Sequence, residues 1–159
     1  MLLRIERDLI ALGGVASTAE LLCRGHEPEL IRIWARYGRI IRVRKGWYAS
    51  RDESAEVIEA LRIGGKLACV SAAIHHGLVP AGVETLHVSV DRHSSRLRTR
   101  ESARLRLAQN PDSSTVIHWS RSALEGDRRA VSAHEALRQM RTCDRDEVRE
   151  AIRDVAANR

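Results

Sequence analysis

The sequence predicts an α+β fold in two parts, and three observations carry that expectation. Apolar residues recur at helical spacing from Leu2 to Tyr37. The stretch Ile40 to Ala49 reads as two short strands joined by a basic turn. Farther on, Leu86-His87-Val88-Ser89-Val90 alternates as a half-buried strand does, and Thr115 to Trp119 reads as another. The expected division is residues 1–50 and 55–159, with the polar segment Ser50 to Ser54 between them.

In the first part, Leu2, Leu3, Ile5, Leu9, Ile10 and Leu12 form one helical face, while Arg4, Glu6, Arg7 and Asp8 fill the other. Gly13-Gly14 ends that helix. Ser17 is an N-cap, and Glu20 three residues later completes a capping box for a helix over about Thr18 to Arg24, burying Leu21 and Leu22. Pro28 opens a third helix, whose apolar side is Leu30, Ile31, Ile33, Trp34 and Tyr37. Arg32 and Arg36 lie four apart on its other side, and Arg39 follows. Gly46 sits where the hairpin turn needs positive φ. Three helices followed by a basic hairpin form the layout of a winged helix-turn-helix, in which the hairpin is the wing.

The charge agrees with an anionic partner. The chain of 159 residues carries a net +6, with Lys+Arg 27 against Asp+Glu 21. From Met1 to Ser50 there are nine cations against five acids, a net +4. Phe is absent and aromatics total 3%, so the core must be built from Leu, Ile, Val and Ala.

The run Gly14-Val15-Ala16-Ser17-Thr18-Ala19-Glu20-Leu21-Leu22, then Gly25, then Tyr37-Gly38-Arg39 and on through Arg44-Lys45-Gly46-Trp47-Tyr48-Ala49 resembles the winged-helix domain of AbiEi-type antitoxins. These are the antitoxins of type IV toxin–antitoxin systems, paired with a nucleotidyltransferase toxin. The same domain opens actinobacterial proteins carrying a very-short-patch-repair-like endonuclease. Gly65, Cys69-Val70-Ser71-Ala72-Ala73, His76-Gly77-Leu78 and Leu86-His87-Val88 resemble the segment that follows the winged helix there. After Trp119 the resemblance loosens.

The resemblance implies double-stranded DNA as partner, with the third helix in the major groove and Arg32, Arg36 and Arg39 as contacts. Arginine pairs bidentately with guanine or holds a phosphate. Arg42, Arg44 and Lys45 in the wing would grip backbone or minor groove. Thr18 would offer its hydroxyl and backbone N–H to a phosphate. Glu27 and Glu29 either accept from cytosine or compensate the helix dipole. A cognate toxin is the second implied partner.

In the second part, Val57, Ile58, Leu61 and Ile63 mark a helix ended by Gly64-Gly65. A short helix from Ser71, its cap, stops at Gly77. Leu105-Arg106-Leu107 is a candidate third strand, and helices are expected over Ser132 to Arg141 and Arg145 to Ala157, with Asp144 capping the last. Asp91 to Ala108 holds six arginines against two acids, and Arg92, Arg96, Arg98 and Arg100 are candidates for a second DNA arm. The alternatives are a surface for an acidic partner protein or a solvated loop.

Enzyme chemistry is not expected. Lys45 and Lys66 are the sole lysines, and neither follows an acid at the spacing a restriction-type nuclease uses to hold magnesium. No phosphate loop, Gly-x-Ser-x-Gly or dinucleotide fingerprint occurs. Cys23, Cys69 and Cys143 form no Cys-x-x-Cys pair, so neither a disulfide framework nor a zinc finger is indicated. His87 and His118 are possible cross-strand neighbours that Cys69 or His93 could join, but no spacing matches a zinc motif. The expectation is therefore no metal and no cofactor, with His87 and His118 on a sheet face. Charged residues near Met1 break any signal-peptide core, and no apolar run reaches the roughly 18 residues of a membrane span, which makes the cytoplasm the default location. The function expected is a sequence-specific transcriptional regulator, a repressor or autoregulating antitoxin. The alternative is an interaction module that neutralises a toxin or host factor without reading DNA.

Overall fold

The computed structural model describes residues 2–121 and 126–157. The fold is α+β, with seven α-helices and two small sheets among those residues.

The chain begins with α1 (Arg4–Ala11), β1 (Val15–Ser17), α2 (Thr18–Cys23), α3 (Pro28–Arg36), β2 (Ile41–Arg44) and β3 (Trp47–Ala49). The capping box of α2 forms as its sequence dictates. The Glu20 N–H donates to Ser17 Oγ at 3.3 Å, and the Ser17 N–H donates back to Glu20 Oε2 at 2.9 Å. The β2–β3 turn closes over Lys45-Gly46, where Gly46 takes φ +79°. The three residues of β1 are too short a run to show alternation. Their partner reveals them: β1 pairs antiparallel with β3, giving the order β1-β3-β2.

That sheet is used on both faces. Ala16 and Tyr48 join Ile5, Leu9, Leu21, Ile31 and Ile40 in a core with the first three helices. Val15, Val43 and Ala49 point the other way, into a core shared with Val57, Ala60, Leu61 and the rest of the chain. Four expected core positions are on the surface: Leu2, Ile10, Leu22 and Leu30 are 51%, 50%, 42% and 45% exposed. Tyr37 is 75% exposed, beyond the end of α3.

The second part contains α4 (Ala55–Ile63), β4 (Lys66–Leu67), α5 (Cys69–His75), β5 (Leu86–Asp91), β6 (Thr115–Ser120), α6 (Ala133–Thr142) and α7 (Asp146–Ala157). β4 runs antiparallel to the central β5, and β6 runs parallel to it, so the sheet is mixed. Strand β5 is buried on both faces rather than one, because β4 and β6 flank it and α4 and α5 pack on it. Leu105 to Leu107 is not a strand of this sheet. Arg106 makes a lone bridge to Arg98, and Leu107–Gln109 is a turn of 3₁₀ helix.

Helix α5 starts three residues earlier than its sequence suggests. Ala68 is its N-cap residue, and Ser71 instead accepts the His87 N–H at 2.9 Å. Ser132 caps α6, accepting from the Glu135 N–H at 3.1 Å. Asp144, expected to cap α7, pairs with Arg149 at 3.3 Å. Among the described residues, no helix is long and apolar enough to cross a membrane.

Candidate nucleic-acid interface and a buried cysteine–histidine cluster

Helix α3 buries Ile31 and turns Arg32 and Arg36 outward. Arg32 pairs at 3.3 Å with Glu29 on the same exposed surface. Such a pair is weak and opens readily for a stronger anion. Glu27 holds the N-cap position of α3 without a side-chain capping bond, and Glu29 lies in the first turn. Arg39 is tied down, with its guanidinium 3.0 Å from the Glu6 carboxylate. Partial burial raises the Glu6 pKa, but the Leu3 N–H and Arg39 outweigh it and hold the carboxyl below its ordinary value.

The hairpin divides its cations. Arg42 and Lys45 are exposed. Arg44 turns inward, its guanidinium 5.6 Å from the centre of the Trp47 ring and its Nε buried without a hydrogen bond among the described residues. Burial lowers its pKa. A β-bulge between Arg42 and Arg44 accompanies this turn away from the surface. Thr18 adjoins the hairpin turn, and its backbone N–H donates to the Gly46 carbonyl at 2.9 Å. That N–H is engaged within the fold, against the expectation that it would serve a phosphate.

The arginine-rich segment is folded back on itself over Leu97 to Leu107, with Arg104 and Arg106 exposed. Thr99 N–H donates to Leu105 O at 3.1 Å, Leu107 N–H to Leu97 O at 3.0 Å, and Arg98 N–H to Ile63 O at 3.0 Å. Arg100 is committed internally: it reaches Glu59 at 2.7 Å and Ser114 Oγ at 3.0 Å. Arg98 is half-buried, whereas Arg92 and Arg96 are exposed. Arg92 donates to His93 at 2.9 Å.

Away from these surfaces, Cys69, His87, His118 and Cys143 converge with one ligand-type atom of each within 4.8 Å of all the others. The parallel register sets Ser89 opposite His118, which brings His118 diagonally beside His87 on one face of the sheet. His87 Nδ1 and His118 Nε2 are 3.0 Å apart. The other His87 nitrogen, Nε2, lies 3.5 Å from Glu147 Oε1, and Thr85 donates to that same oxygen at 2.8 Å. Cys69 arrives at the start of α5 with φ +49°, its N–H donating to Gln139 Oε1 at 2.8 Å. Cys143 arrives at the end of α6.

Burial, reinforced by neighbouring His118, brings the His87 pKa down to about 4, and burial also lowers that of His118. Burial and the adjacent Cys143 push the Cys69 thiol up. Of the companions considered for the histidine pair, the fold selects Cys69. His93 is exposed beside Arg92. Cys143 was not legible in the sequence, because it follows an isolated helix end with no nearby ligand-type spacing.

No family model matches the chain, and no curated protein matches it.

Proposed function

We propose that this chain is a winged helix-turn-helix DNA-binding regulator that represses or autoregulates transcription, of the kind found in AbiEi-like antitoxins. One observation carries the reading: α3 packs Ile31 inward while presenting Arg32 and Arg36 on a continuous exposed face. The order helix, helix, paired hairpin, with β1 closing the sheet, supports the winged-helix reading. Exposed Arg42 and Lys45 supply phosphate contacts, and α3 supplies sequence reading. Arg39, Arg44 and Arg100 support the scaffold instead, through Glu6, Trp47 and Glu59. Arg92 and Arg96 remain as outlying basic contacts.

The test is selection of bound duplexes from a randomised DNA library, followed by affinity measurements on the enriched sequence. Arg32→Ala and Arg36→Ala should each cost about 1–3 kcal/mol against that sequence and little against scrambled DNA. Failure of any sequence to enrich, or enrichment unchanged in the double variant, would remove the assignment of α3 as reading helix.

A further inference from the structure

The Cys69–His87–His118–Cys143 cluster has the composition and the setting of a metal centre. Its four residues come from four elements, the start of α5, strands β5 and β6, and the end of α6. Around a zinc ion with ligand bonds of about 2.0–2.3 Å, tetrahedral donors stand roughly 3.3–3.8 Å apart. The 3.0 Å between His87 Nδ1 and His118 Nε2 and the 4.8 Å span of the whole set need only small side-chain adjustments to meet that geometry.

A histidine pair sharing one proton would account for that 3.0 Å contact alone. It would not account for two thiols on the same spot, nor for what surrounds them. Glu147 stands behind His87 at the nitrogen facing away from the cluster, and Thr85 orients the Glu147 carboxylate. A carboxylate behind a ligating imidazole fixes its tautomer and raises its basicity. Gln139, itself buried, holds the Cys69 backbone in a positive-φ conformation that a non-glycine residue seldom adopts.

We propose that Cys69, His87, His118 and Cys143 bind one structural zinc ion, with His87 ligating through Nδ1 and His118 through Nε2. Two thiolates and two imidazoles suit zinc by softness and by coordination number. The two thiols lose their protons to solvent on binding, so the two thiolate charges cancel the charge of the ion. The centre is then neutral overall, as a site in this buried setting requires. All four positions are filled by protein, so no open position is left for a water or substrate, and the role is structural. The ion would tie α5, β5, β6 and α6 together across long sequence separations, where a cross-link removes the most unfolded-state freedom.

The test uses the whole chain. Protein produced with zinc supplied should carry about one zinc per chain by elemental analysis. Replacing zinc by cobalt should give tetrahedral visible bands and a thiolate-to-cobalt charge-transfer band. Cys143→Ser and His118→Asn should each weaken zinc affinity by about tenfold or more, while Cys23→Ser, at an exposed cysteine outside the cluster, should not. Should those variants fail to fold, the cobalt spectrum of the unaltered chain still decides. Cobalt-treated protein without a thiolate charge-transfer band would overturn the proposal. So would a Cys69–Cys143 disulfide in protein purified under reducing conditions with zinc present.

Discussion

Arg128 donates to the Glu20 carboxylate, with Nη1 2.9 Å from Oε2, and the same Nη1 reaches the Val15 carbonyl at 3.0 Å. The two side chains are 108 positions apart in the chain. Arg128 also lies over the Trp47 ring, 5.9 Å from its centre. One guanidinium thus joins a residue beside β4 and α6 to the capping box of α2 and to the base of the hairpin. Arg128 thereby ties α2 and the hairpin to the later part of the chain.

This brace should be visible in acid. The hydrogen bond from Arg128 leads the causes that bring the Glu20 pKa from 4.5 to about 2, outweighing partial burial. A carboxyl whose folded pKa is depressed stabilises the fold fully above its unfolded value. That contribution fades as pH falls from 4.5 towards about 2. Glu20→Gln keeps a capping-box side chain but removes the charge. The thermal midpoint of Glu20→Gln should lie below that of the parent at neutral pH, by a stability difference of about 1 kcal/mol for a partly exposed pair. The two melting curves should converge as the pH falls to about 2, the folded pKa. Parallel curves throughout would show that the pair contributes nothing through its charge.

The hairpin cations should separate by burial. Arg42→Ala and Lys45→Ala should weaken binding to every duplex and lower the slope of log affinity against log salt by about 1 each. Arg44→Ala should act on stability instead, because its guanidinium is packed beside Trp47 and Gly64. Salt titrations of binding, set beside melting curves for the three variants, test the division. An Arg44 variant with unchanged melting and a reduced salt slope would place its side chain outward in solution.

Gly65 and Gly77 should answer very differently to alanine. A Cβ on Gly65 would stand 2.1 Å from the Ser89 carbonyl oxygen and 2.8 Å from methyls of Val88 and Val90. Backbone oxygen of the central strand cannot move aside without breaking the β4–β5 pairing. Gly65→Ala should therefore cost about 3 kcal/mol in denaturant unfolding. At Gly77, φ is +70° with nothing within 4 Å, so alanine there should cost only about 1 kcal/mol of backbone strain. Equal costs would show that strand β4 does not hold this register.

Local sequence determined where most helices lie and how α2 and α3 begin. Ser17 with Glu20 and Pro28 at the start of α3 announce themselves because capping involves residues a few positions apart. Periodicity likewise placed Ile5, Leu9 and Ile31 inside and Arg32 outside. What escaped depends on partners far along the chain. β1 exists because β3 pairs with it, and Ser71 left its capping role because the His87 backbone reached it first. Arg39, Arg44 and Arg100 share the chemistry of Arg36 and Arg42, and only packing turned them towards Glu6, Trp47 and Glu59. The Cys69–His87–His118–Cys143 cluster is the fullest case. Its residue types are plain in the sequence, but ligand geometry is a property of space, and only a parallel pair of strands between two helices brings these four together.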